Sequence, residues 1–268
     1  MAANVKSIAS RDNPLLVRLR KLAGEPAAYR KLGSLWIEGE HLCSALLQRG
    51  GAPQQCVITE SAWAQPSLRA LAQSAGEVAI LPEVLMAGLS ALESPAPLGF
   101  TLPWAGDTSV QADLPSVVLD RLQDAGNVGT ILRTAAAFGI AQVVALKGTA
   151  ALWSPKVLRA GMGAHFGLRL VEGLEPEALA ILDVPLLAAS SHAEQVLDQA
   201  TLPWPCAWVL GHEGQGVSPA LLARCQQQLR IPQPGGEESL NVASAAAVCL
   251  YESMRQRLKA PSPAMFKR

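Results

Sequence analysis

From residue 113 to about residue 260, short apolar runs alternate with helix-forming stretches five times over. "SVVLDRL" precedes "NVGTILRTAAAFG", and "QVVALKG" precedes the helix-like "SPKVLRAGMGA". "PLLAASS" precedes a short helical stretch near "QVLDQA", and "CAWVLGHEG" precedes "SPALLARCQ". "QLRIPQ" then leads to a last helix that reaches about Leu258. Continuous apolar strands joined by helical crossovers demand a mostly parallel sheet with both faces covered. The first part of the chain opens with a basic helix-like stretch and then alternates as well. "LWIEGEHLCSALLQRG" reads as a strand and a helix, "QCVITE" as a strand and "SLRALAQSAG" as a helix. "VAILP" and "EVLMAGLSAL" repeat the pair, so a smaller α/β domain is expected there. Residues 93–115 are rich in Pro, Gly and Ser and are expected to hold an edge strand and the linker. The division that follows is 1–112, 113–260 and a mobile tail at 261–268.

Composition narrows the class. Half of the 268 residues are hydrophobic, enough for a sizeable core. Formal net charge is zero, so no whole-molecule field draws in polyanions, and nucleic-acid binding must come from local patches. One such patch is residues 1–31, where seven basic side chains meet only Asp12 and Glu25. It is read either as a hold on RNA phosphates or as a solvated helix face. Arg255, Arg257 and Lys259 form a second basic group. No apolar run reaches the roughly 18 residues of a membrane span, and the first residues lack the apolar core of a signal peptide. Five scattered cysteines without a CxxC pair point to reduced thiols and a cytoplasmic protein. Four dispersed histidines offer no zinc-like cluster, so no metal is expected.

Three polar, glycine-bearing loops fall at the carboxyl ends of expected strands, where open α/β sheets bind ligands. They are "DAGNVG" at 124–129, "GHEGQGVS" at 211–218 and "PGGEESLN" at 234–241. A nicotinamide enzyme would need GxGxxG after its first strand, and that is missing. No GxxxxGK[ST] occurs either. A phosphate cradle is therefore disfavoured, and a neutral or cationic cofactor fits better.

Three ordered segments carry a resemblance. "NVGTILRTAAAFG" (127–139), "LGHEGQGVS" (210–218) and "IPQPGGEESLNVASAAAVCLYE" (231–252) are similar to the motifs of the SpoU/TrmH family, RNA ribose 2′-O-methyltransferases of the SPOUT superfamily. The likeness covers about residues 114–255, and residues 1–100 resemble the L30e-like RNA-binding domain found upstream in many members. The resemblance implies a C-terminal α/β knot, a mostly parallel sheet with a deep trefoil, preceded by the small L30e-like domain. It implies S-adenosylmethionine (AdoMet) held in the knot, its adenine on backbone groups of Gly211, Ile231 and Leu240. It also implies a homodimer with active sites at the subunit boundary, to which the small-residue face of "NVASAAAVCLYESM" is suited.

The chemistry then assigns roles. The sulfonium methyl is already activated, so the enzyme must align the attacking 2′-hydroxyl and manage one proton. By resemblance Arg133 is the catalytic arginine, either general base or clamp on phosphate and forming alkoxide. A guanidinium pKa above about 12 favours the clamp. Asn127 would orient Arg133 or the ribose, and Glu213 would pair with an arginine or position the sugar hydroxyl. Ser239 and Asn241 complete the pocket. Each residue also has a plainer reading: Asn127 as a helix N-cap, Arg133 as a surface arginine, Glu213 as part of a turn, Ser239 and Asn241 as caps. The expected function is AdoMet-dependent 2′-O-methylation of structured RNA, with the separate N-terminal domain favouring 23S ribosomal RNA over transfer RNA. The alternatives are a tRNA enzyme, an idle RNA-binding module on the same fold, and a base methyltransferase.

Overall fold

The structure, a computed structural model, describes residues 3–90, 94–104, 106, 109–235 and 239–259. The expected tail at 261–268 lies outside them. In chain order the strands are β1 (Asn4–Ser7), β2 (Ser34–Glu38), β3 (Gln55–Thr59), β4 (Glu77–Leu81), β5 (Leu98–Pro103) and β6 (Ser116–Asp120). There follow β7 (Gln142–Leu146), β8 (Arg169–Leu174), β9 (Leu186–Ala189), β10 (Gln195–Val196), β11 (Ala207–Gly211) and β12 (Gln227–Arg230). The helices are α1 (Pro14–Gly24), α2 (Ala28–Leu32), α3 (Glu40–Gln48), α4 (Glu60–Trp63), α5 (Pro66–Ala72) and α6 (Glu83–Ala87). The rest are α7 (Ala125–Ala137), α8 (Pro155–Gly161), α9 (Pro219–Leu222) and α10 (Val242–Lys259). Among the described residues no helix is long and apolar enough to cross a membrane.

The chain divides into two compact units, residues 1–106 with 151–167, and 107–150 with 168–268. The segment 151–167, which the sequence pattern attaches to the second part, clusters with the first: Leu158 of α8 joins that unit's core. The first unit is built on a mixed sheet in the order β1-β4-β3-β5-β2, with β5 antiparallel to both neighbours. Two expectations change here. The chain opens on a parallel edge strand, β1, before the basic helix α1 begins. The strand expected at an edge, β5, lies inside the sheet, buried up to its last residue. Gly99 on β5 is required by its neighbour: a Cβ there would sit 2.3 Å from the Trp36 indole. His165 is buried in this unit, with Nε2 2.9 Å from the Leu152 carbonyl and its ring tilted against Trp153.

The second unit holds a seven-stranded sheet, all parallel, in the order β10-β12-β9-β11-β6-β7-β8. Two of its strands, β8 and β10, are absent from the five apolar runs. Both are edges. A strand open on one side keeps polar residues such as Arg169 and Glu172, which hide the apolar run. Alternate residues Val118, Val144, Val171 and Val209 join one apolar cluster with Leu186 and Leu221. Trp208 is fully buried and donates its indole N–H to Ser253 Oγ at 2.9 Å, which ties α10 to β11. All five cysteines are free, and four are buried, where desolvation raises their thiol pKa values.

Candidate active site

Strand order places the site. From β6 the chain moves to β7 on one side, and from β11 it moves to β12 on the other. β6 and β11 are neighbours in parallel register, with Gly211 opposite Asp120. The crevice at their carboxyl ends is thus a topological switch point, where such sheets bind ligands. The loops that follow the two strands, and the start of α10, supply the side chains.

Glu213 is the hub. Its Oε1 accepts from the Asp124 N–H at 3.1 Å and from Asn127 Nδ2 at 3.3 Å, and its Oε2 accepts from the Gln123 N–H at 3.2 Å. Partial burial raises its pKa. Backbone N–H groups and the Asn127 amide outweigh that, and the carboxyl sits below its ordinary value. Glu213 is therefore ionised at neutral pH, a weak base and a firm acceptor. Among the described residues it is not paired with an arginine. Asn127 is not the cap of α7: that role belongs to Asp124, which accepts the Asn127 N–H at 2.7 Å. The Asn127 side chain is instead free to bridge, with Oδ1 accepting from Asn241 Nδ2 at 3.0 Å. Asn241 does cap α10, through Oδ1 to the N–H groups of Ala243 (2.9 Å) and Ser244 (3.3 Å). One amide thus serves two purposes, closing a helix end and joining a chain of three side chains.

Gly211 ends β11, and only glycine fits. An added Cβ would stand 2.0 Å from the Val217 nitrogen and 2.1 Å from the Gly216 carbonyl carbon, because the loop folds back over it. Inside that loop Gly216 N–H bonds the His212 carbonyl, and Gly214 N–H bonds His212 Nδ1. Ile231 follows β12 at the same carboxyl edge. Leu240, just before the α10 cap, exposes 41% of its surface. Ser239 is exposed beside it.

Arg133 stands apart. Six residues beyond Asn127 it lies about 120° round the helix from it and roughly 9 Å along. It is exposed, and no hydrogen bond or ion pair joins it to any other described residue. Asp120 and Arg121, by contrast, belong to the site and carry no motif. Asp120 is 1% exposed, and its Oδ2 accepts the Ser218 N–H at 2.7 Å. An acid that ends an apolar strand was the available signal. Among the described residues no group of three His, Cys, Asp or Glu is placed to hold a metal ion.

A model of the SpoU rRNA Methylase family matches residues 115–251, more than half of the chain. The chain belongs to the SpoU family. An uncharacterized tRNA/rRNA methyltransferase of Synechocystis is 34% identical over 98% of both chains. The 23S rRNA guanosine 2′-O-methyltransferase RlmP of Bacillus subtilis is 28% identical, over 82% of this chain and 88% of its own. The crystal structure of an RNA 2′-O ribose methyltransferase superposes with a TM-score of 0.78 at 30% identity, over 94% of this chain and 100% of that one. Asn127, Glu213 and Asn241, one from each SpoU segment, are therefore the residues that the fold links directly. The alignment with the Synechocystis relative spans 98% of this chain and so takes in the N-terminal α/β unit before the SpoU domain.

Proposed function

We propose that this SpoU-family RNA 2′-O-methyltransferase, which takes its methyl group from AdoMet, acts on a ribose of 23S ribosomal RNA. The observation that carries the reading is the Glu213–Asn127–Asn241 chain of hydrogen bonds across the switch point. It joins the three segments at one sheet edge. That donor set, neutral backbone with one ionised carboxylate, suits a cationic methyl donor. Backbone groups of Gly211, Ile231 and Leu240 hold the adenine, within the trefoil knot that the family resemblance implies. Ser239 and Asn241 face the substrate end. The unpaired Arg133 serves as the clamp on RNA phosphate and on the alkoxide that forms.

The enzyme works in the cytoplasm as a homodimer. Val248, Tyr251 and Leu258 form an exposed stripe on α10, at 40%, 50% and 75%, and a second copy covers it. By sequence, residues 1–112 form an L30e-like substrate-binding domain and 113–260 the methyltransferase domain, whose segment 151–167 packs with the first unit. The relative described for both tRNA and rRNA keeps tRNA as the second reading.

Ribose methylation mapped in RNA from cells with and without the gene tests substrate and chemistry together. Loss of one 23S mark is expected. A mark lost only from tRNA would move the assignment, and no lost mark would defeat it. A crystal with AdoMet bound away from Gly211, Ile231 and Leu240 would overturn the site.

A further inference from the structure

Arg121 is one of two non-glycine residues with positive φ among those described, at φ 61°. A long side chain in that region is strained, and such strain persists where the surroundings over-determine it. Here they do. Arg121 Nε donates to Asp120 Oδ1 at 3.0 Å, and Nη1 donates to Gln215 Oε1 at 3.1 Å. The other oxygen of Asp120 holds the Ser218 N–H. Asp120 itself is buried, with 2% of its side chain exposed against 37% for Arg121. Gly148, two residues beyond β7, leaves room for the arginine: a Cβ there would meet Arg121 Cγ at 3.2 Å. The loop that follows Gly211 is therefore gripped at two points from the end of β6, by a carboxylate at Ser218 and by a guanidinium at Gln215. Between Gly211 and the first grip point stands Glu213, the hub of the site.

We propose that Asp120 and Arg121 are positioning residues that hold the 212–218 loop, through Gln215 and Ser218, in the shape that binds AdoMet. The inference rests on AdoMet lying beside Gly211, as proposed above. Glycine takes φ 61° without strain, so Arg121→Gly removes the grip and the strain together.

The test measures AdoMet binding by calorimetry and thermal unfolding without ligand, on the full chain. Arg121→Gly should raise the Kd for AdoMet about tenfold; because it also removes the partner of the buried Asp120 carboxylate, its unfolding midpoint is not the discriminating readout. Gln215→Leu, which removes the acceptor and keeps the Asp120–Arg121 pair, should match that Kd with an unchanged unfolding midpoint, and the double variant should bind no more weakly than either. Gln215→Glu keeps an acceptor and should restore Kd to within about twofold of the parent. The proposal fails if Arg121→Gly leaves Kd unchanged, or if Gln215→Glu is as weak as Gln215→Leu. It fails equally if midpoint and affinity of Gln215→Leu fall together. A loss confined to affinity for a 23S rRNA transcript would make Arg121 an RNA contact and overturn it too. If the parent protein does not bind AdoMet, the functional reading fails rather than the latch.

Discussion

Arg133 and Glu213 show opposite uses of charge. Glu213 is saturated by three N–H groups and so is held as an anion with little appetite for a proton. Arg133 has no partner among the described residues and spends nothing of its charge on the fold. Removing it should therefore cost the fold little. Arg133→Ala is expected to shift stability by less than about 0.5 kcal/mol, as for a surface substitution. Methyl transfer should fall by at least two orders of magnitude, with AdoMet affinity within twofold. Transfer assays beside calorimetry check this, and a fully active variant would remove the clamp role. His165 gives a pH prediction. Desolvation lowers its pKa from 6.5 to about 4, against the smaller opposing effect of the Leu152 carbonyl. The unfolded chain then binds the proton more tightly, so the stabilising effect is complete above pH 6.5. It is lost as pH falls towards 4, by about 3 kcal/mol in all. Thermal midpoints should drop between pH 6.5 and 5, and His165→Gln should flatten that slope.

At the scale of elements, the start of α10 combines capping with site building. Aspartate caps as well as asparagine and suits the positive helix end. Asn241→Asp should therefore keep α10 while losing the N–H donated to Asn127. If the Asn127 amide turned to compensate, it would give up Glu213 instead. Helicity by circular dichroism should hold, and AdoMet affinity or transfer should fall tenfold or more. An active Asn241→Asp would reduce the residue to a cap. The elements themselves were legible to different degrees. The interior strands β6, β7, β9 and β11 announce themselves as apolar runs, because burial on both faces admits little else; β12 is interior too, yet of its four residues only Leu229 is buried. The edges β8 and β10 do not announce themselves, since they keep polar residues towards solvent. Strand β5 looked like an edge because it sits in a stretch rich in Pro and Gly, yet it pairs on both sides. Composition reports turns near a strand but not which strands flank it.

At the scale of the molecule, a chain of zero net charge has no long-range attraction for RNA. Contact must come from a local set such as Arg11, Arg18, Lys21, Arg30 and Lys31, all exposed in the first unit. Lys6 is already paired with Glu77 at 3.1 Å, so it adds less. RNA affinity should fall with salt at a log–log slope of about 3 to 5. Filter binding across salt concentrations checks it, and a flat dependence would reassign this face to solvent. Read residue by residue, the chain itself declared an α/β architecture and three glycine-bearing loops after strands, because burial and turn geometry each demand particular residue types in order. Its resemblance to the SpoU/TrmH motifs offered Asn127, Glu213 and Asn241 as candidates. Only the tertiary structure decided that these three join in one line, that Asp124 rather than Asn127 caps α7, and that residues 151–167 belong to the first unit. Nor could any local pattern reveal the grip of Asp120 and Arg121 on a loop some 95 residues away. Periodicity records which face of an element is buried, whereas a hydrogen bond between distant loops depends on strand order, which no short window of sequence contains.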